Sequence, residues 1–108
     1  MNAAERLWAA LAARDWPRVN AQFQPNAVVE WPHSGARMEV AAYVGAMEVL
    51  LSTATVEVRR TAGEGHLVAV EAAIGAARCG GFYDLHEGRI RGATEYWVPG
   101  TVPGAGSG

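Results

Sequence analysis

The apolar positions of this chain change period near residue 54. Before that point Leu7, Trp8 and Leu11 recur at helical spacing among alanines. They follow Asn2 and Glu5, which have the spacing of an N-terminal capping arrangement. This predicts a first helix to about Arg14. Asp15 reads as a second N-cap, with Pro17 tolerated in the first turn, where amide donors have no partner. Trp16, Val19 and Phe23 form the stripe of a short second helix that Gln24-Pro25-Asn26 ends. Residues 27–31 are a short β-prone run, closed by Pro32 and Ser34-Gly35. Val40, Tyr43, Val44, Met47, Leu50 and Leu51 fit a 3.6-residue period and predict a third helix.

Beyond it the period is two. Strands are predicted over 55–61, 66–74, 82–85 and 89–98, with turns at Gly63-Glu64-Gly65 and His86-Glu87-Gly88. The order is helix, helix, strand, helix and then a four-strand antiparallel meander. Helices segregated beside an antiparallel sheet predict an α+β domain over residues 1–98. Residues 99–108 are rich in Gly and Pro and lack periodicity, which predicts a flexible tail.

Composition narrows the chemistry. A length of 108 residues suits one domain, large enough to fold without a metal or disulfide. The net charge is −2 and no basic run occurs, which argues against a phosphate-neutralising nucleic-acid face. All nine basic residues are arginine. Schiff-base chemistry, pyridoxal phosphate attachment and a P-loop lysine are therefore excluded. The single Cys79 cannot form an internal disulfide, which suits a reducing cytoplasm. No signal-peptide pattern and no run of about 20 apolar residues is present, so no membrane partner is expected.

Four segments carry a family resemblance: Ala-Ala-Arg-Asp-Trp at 12–16, Asn-Ala-Val-Val-Glu-Trp-Pro at 26–32, Glu-Gly-Arg-Ile at 87–90 and Ala-Thr-Glu-Tyr-Trp at 93–97. In order and spacing, over residues 3–98, the chain resembles SnoaL-like domains of the nuclear transport factor 2 superfamily. The resemblance implies a cone-shaped α+β barrel, in which a curved sheet wraps around about three helices and leaves a cavity open at one end. It also implies a homodimer formed through the outer face of the sheet. The superfamily holds ketosteroid isomerases, polyketide cyclases, limonene-epoxide-type hydrolases, dehydratases and non-enzymatic binding modules. Fold alone therefore selects no reaction.

Strand alternation groups Ala27, Val29 and Trp31 on one face, and Ala93, Glu95 and Trp97 on another. The resemblance turns Trp31 and Trp97 toward the cavity, and Glu95 with them. A carboxylate flanked by aromatic rings is partly desolvated, with its pKa raised, and is suited to general acid or base work. The alternative is a Glu95 paired with arginine or lying at the rim. Epoxide-hydrolase-type relatives also place a carboxylate on this strand. The isomerase set is not matched: without gaps, its catalytic aspartate falls at Trp31, its tyrosine at Leu7 and its second acid near Gly80 or Gly81.

His33, after the Trp-Pro turn at the expected cavity mouth, is the second candidate for proton transfer. Trp31, Trp97, Phe23, Tyr43 and Met47 are the candidate ligand-facing wall, whereas Trp8 and Trp16 are assigned to the core. His33, Glu39, His66 and His86 lack recognisable metal-ligand spacing, and neither a metal nor any other cofactor is expected. Cys79 has no His or Asn pattern that would make it a nucleophile. Two departures from the relatives stand out. Val40 and Ala41 replace a usual Gly-Arg pair, and Gly80-Gly81 interrupt the penultimate strand, so no role passes to Tyr83 or Asp84. Three readings remain: an acid–base enzyme acting on a small hydrophobic molecule, a non-catalytic binding module, and a dimeric element whose pocket is filled.

Overall fold

In the computed structural model, residues 1–100 are described. The expected tail over 99–108 falls, from residue 101 on, outside the described residues. Three helices, α1 (Ala3–Ala13), α2 (Trp16–Ala21) and α3 (Val40–Leu50), accompany six strands. The strands are β1 (Phe23–Trp31), β2 (Ala36–Glu39), β3 (Val56–Ala62), β4 (Leu67–Ile74), β5 (Ala77–His86) and β6 (Arg89–Val98). They make one curved sheet in the order β2-β1-β6-β5-β4-β3. The architecture is α+β, as the change of period predicts.

The capping arrangement at the start of α1 is complete. The Asn2 side chain accepts from the Glu5 amide at 2.9 Å, and the Glu5 carboxylate accepts from the Asn2 amide at 3.0 Å. Leu7, Trp8 and Leu11 on the inner face of α1 are fully buried. Arg14 ends the helix in the left-handed region and ties it to the segment after α3, donating to the carbonyls of Leu51 and Ala54.

Four features depart from the sequence reading. Phe23, given by its period to the second helix, instead opens β1. The helix stops at Ala21, and the Ile90 amide donates to the Gln22 carbonyl at 2.7 Å, so pairing with β6 overrides a two-turn helix. Pro25 then lies where the β1–β6 register shifts between Phe23 and Val28, a position at which its missing N–H is tolerated. Second, β2 is an additional edge strand. It forms a hairpin with β1 through Pro32–Gly35, with Gly35 at φ 74°. Third, the sheet is mixed rather than wholly antiparallel, because β1 runs parallel to β6, pairing Val29 with Ala93 and Glu30 with Thr94. The β3–β6 meander is antiparallel, and the Glu87-Gly88 hairpin has both turn residues at positive φ. Strand β5 is also longer than its glycines suggest, pairing with β6 from Arg78 to His86.

Inward residues of β1, β4, β5 and β6 alternate with outward ones and meet α1 and α3 in one core. No helix is long and apolar enough to cross a membrane among the described residues.

Candidate functional site

Strand alternation sets the site. Glu95 and Trp97 share the inner face of β6, and Glu95 lies opposite Gly81 on β5. The parallel neighbour β1 brings Trp31 alongside, and Tyr43 reaches in from α3. Glu95 is 0% exposed, a carboxyl in the middle of the core.

No arginine pairs with it. Instead three neutral donors converge: Trp31 Nε1 on Oε1 at 2.9 Å, and the Tyr43 and Tyr83 hydroxyls on Oε2 at 3.0 and 2.6 Å. Tyr83 accepts in turn from Trp8 Nε1 at 2.8 Å. Burial pushes the Glu95 carboxyl above the ordinary range, while the bonds from Tyr83, Trp31 and Tyr43 pull it partly back. Burial, and then the charge of Glu95, pushes both tyrosines well above the usual phenol value. They therefore stay protonated as donors. Burial also raises the thiol of Cys79, which remains an inert neutral group.

Tyr83 fits only because residue 81 is glycine. The two are on one face of β5, and a Cβ at Gly81 would overlap the Tyr83 hydroxyl and ring. The glycines that interrupt the strand pattern thus make room for a phenol over the backbone. Neither Tyr83 nor Trp8 was singled out from sequence as a site residue. Gly81 and Tyr83 two apart in one strand was the available signal, and it becomes readable once the inner face is known.

Trp31 and Trp97 border a recess of about 190 Å³ that His33, Leu50, Ala77, Val98 and Pro99 also line. The indoles of Trp31 and Trp97 meet edge to face, with ring centroids 5.6 Å apart. Trp31 stands between recess and carboxylate: its ring walls the one and its Nε1 holds the other. His33 is exposed at the lip, its ring 6.0 Å from that of Trp31. The structure thus gathers Trp31, Trp97 and His33 around one recess and seats Glu95 one indole deeper. The remaining wall candidates, Phe23, Tyr43 and Met47, lie elsewhere. Tyr43 and Met47 are fully buried in the core, and Phe23 packs edge-on against Tyr43 at 5.5 Å. Tyr43 and Met47, with Val40, are the buried residues of α3. Among the described residues no group of three or more His, Cys, Asp or Glu is placed to hold a metal.

The family described as SnoaL-like domain matches residues 4–102. Among curated proteins, none matches the chain in sequence. Among solved structures, an NTF-2 like protein of unknown function from Burkholderia xenovorans LB400 superposes with a TM-score of 0.80 at 26% identity, over 97% of this chain and 88% of that one. An LEH-like epoxide hydrolase from M. tuberculosis superposes with a TM-score of 0.67 at 21% identity, over 89% and 80% of the two chains. A SnoaL-like protein of unknown function from Burkholderia thailandensis E264 gives 0.74 at 13% identity, over 87% and 89%.

Proposed function

Because this chain belongs to the SnoaL-like domain family, we propose that it is a cofactor-independent enzyme that moves a proton on a small hydrophobic molecule. Glu95 is the proton-transfer residue in this reading. The observation that carries it is a fully buried carboxyl with no cationic partner, held by three neutral donors beside an aromatic recess. Such surroundings raise a carboxyl toward neutrality, where it works as acid or base. Both tyrosine hydroxyls donate to Oε2, so a proton gained or given by Glu95 sits on Oε1, on the Trp31 side. Substrate enters the recess, displaces the Trp31 indole from Oε1 and exchanges a proton there. His33 at the lip is the second group able to exchange a proton with the substrate. Isomerisation or cyclisation returns the proton to another atom of the substrate. Hydration or epoxide opening passes it from the attacking water to the substrate, so the Glu95 carboxyl is regenerated in each case. The recess admits only a compact substrate.

The test is turnover of a panel of small cyclic ketones, enones and epoxides by the native protein and by Glu95→Gln. For any compound converted, Glu95→Gln lowers kcat about a hundredfold or more. Unchanged turnover, in a variant with native near-UV circular dichroism, would overturn the assignment.

A second reading has its own support. The three donors that hold Glu95 are satisfied by it and Trp31 screens the carboxyl from the recess, as suits a binding module with a structural carboxylate. Ligand binding without turnover across the panel selects it. Under either reading we assign a homodimer through the outer sheet face, where Leu67, Phe82, Tyr96 and Val98 are each about half exposed or more. The buried free thiol of Cys79 suits a cytoplasmic setting.

A further inference from the structure

Of the buried side-chain nitrogens and oxygens among the described residues, Trp97 Nε1 alone has no hydrogen-bond partner. Its neighbours make this conspicuous. Trp8, Trp31, Tyr43 and Tyr83 each place their polar hydrogen on an acceptor. A buried donor left without an acceptor is uncommon and destabilising in a folded protein, and calls for a reason. The three bonds that Glu95 receives come from Trp31, Tyr43 and Tyr83, and none comes from Trp97.

Trp97 is also a wall of the recess, and its ring packs against the edge of Trp31. From these two facts we infer that the recess takes a neutral, largely apolar molecule carrying one acceptor oxygen, a carbonyl or an ether, and that Trp97 Nε1 donates to that oxygen. An indole N–H can only donate, so its partner must accept. The partner is neutral because no arginine lines the recess, and because a ligand anion would approach Glu95 without a compensating cation. It is compact, because about 190 Å³ equals the liquid volume of roughly six waters. Nε1 is buried and the two indoles are in contact, so the ligand reaches it by inserting between them. That insertion brings its oxygen to Trp97 and its adjacent carbon toward Oε1 of Glu95. The inference rests on the recess being the way to Glu95, but testing it requires no turnover.

Two probes of one shape isolate the oxygen: cyclohexanone, and methylenecyclohexane, in which a CH₂ group replaces it. In ¹H–¹⁵N spectra of the indole groups, the Trp97 signal is identified by its loss in Trp97→Phe. Cyclohexanone is expected to move that signal downfield and to bind about five- to tenfold more tightly than methylenecyclohexane. Trp97→Phe keeps a ring in place, so it binds methylenecyclohexane as the native protein does and loses the preference for the ketone. Glu95→Gln retains the preference, so failure of Glu95 as a catalyst and failure of Trp97 as a donor are read separately. Equal affinity of the native protein for both probes, binding of neither, an unmoved Trp97 signal, or a preference that survives Trp97→Phe would each overturn the inference.

Discussion

The indole of Trp8 decides where the phenol proton of Tyr83 points. Trp8 Nε1 donates to the Tyr83 hydroxyl at 2.8 Å, and a hydroxyl that accepts there has one proton left, which goes to Glu95 Oε2 at 2.6 Å. Tyr83 is thus both acceptor and donor, whereas Tyr43 is only a donor to the carboxylate. Tyr83→Phe strands the Trp8 N–H and removes the shorter bond to Glu95. Tyr43→Phe removes one bond and strands nothing. The expected losses are about 3–4 kcal/mol and about 1–2 kcal/mol respectively. Urea unfolding at neutral pH with unchanged m-values measures them. Equal losses would show that the Trp8 contact has no energetic role.

Gly81→Ala tests the room that Tyr83 occupies. In a regular strand alanine is favoured over glycine, so the change would stabilise by somewhat under 1 kcal/mol. Here the new Cβ meets the Tyr83 phenol, and overpacking of this kind costs about 1–3 kcal/mol. The expected sign is therefore a loss, seen as a lower thermal midpoint. In the Gly81→Ala, Tyr83→Leu double variant, which has no phenol to displace, the added cost of the alanine should be smaller.

Stability should depend on pH through Glu95. Its carboxyl in the folded protein lies above the ordinary value of 4.5, chiefly because burial disfavours the charge. Between the two values the folded state holds the proton more often than the unfolded chain. The contribution is therefore complete below 4.5 and is lost as pH rises through the raised value. Thermal midpoints of the native protein, taken relative to those of Glu95→Gln, should fall from acid toward neutral pH. Parallel curves for the two proteins would contradict this assignment. Glu95→Gln also leaves its amide facing Trp31 Nε1, donor against donor, if its oxygen keeps both tyrosines. Loss of the Trp31 bond is the expected structural change in that variant.

The outer sheet face makes a separate prediction. Phe82 and Tyr96 stack edge-on with centroids 6.0 Å apart, and each is about half exposed. Ion pairs of Asp84 with Arg91 and of Arg60 with Glu71 flank the apolar strip. Sedimentation of the native protein is expected to give the dimer mass, and that of Phe82→Asp the monomer mass with an unchanged far-UV spectrum. A native monomer at micromolar concentration would remove the dimer assignment.

How far the sequence was legible depends on the scale of the interaction. Period-two alternation turns Ala93, Glu95 and Trp97 inward, because burial of one sheet face is written residue by residue. The three helices follow from their stripes, with the Asn2 and Asp15 caps marking the first two, for the same local reason. Phe23 was misassigned to a helix because its side-chain spacing fits a helix, while its backbone state is set by β6, far away in sequence. β2 was missed because four half-exposed residues carry too little periodicity to register. The donors around Glu95 escaped for a further reason. Trp8 and Tyr83 are 75 residues apart, and nothing in either local segment indicates that they meet. Period places Trp8 correctly in the core, but its N–H direction is a property of the assembled fold.

The parallel pairing of β1 with β6 has a kinetic consequence. The bond from Trp31 to Glu95 closes a loop of 64 residues, and no hairpin can bring those strands together. The β3–β6 meander can zip by neighbouring turns, whereas β1 reaches its partner only across α3 and the whole meander, the costlier closure. Of the three donors to Glu95, Trp31 is the most distant in sequence, whereas Tyr83, 12 residues away, reaches the carboxyl through a single hairpin. The donor on the recess side is therefore the one that long-range chain closure has to supply.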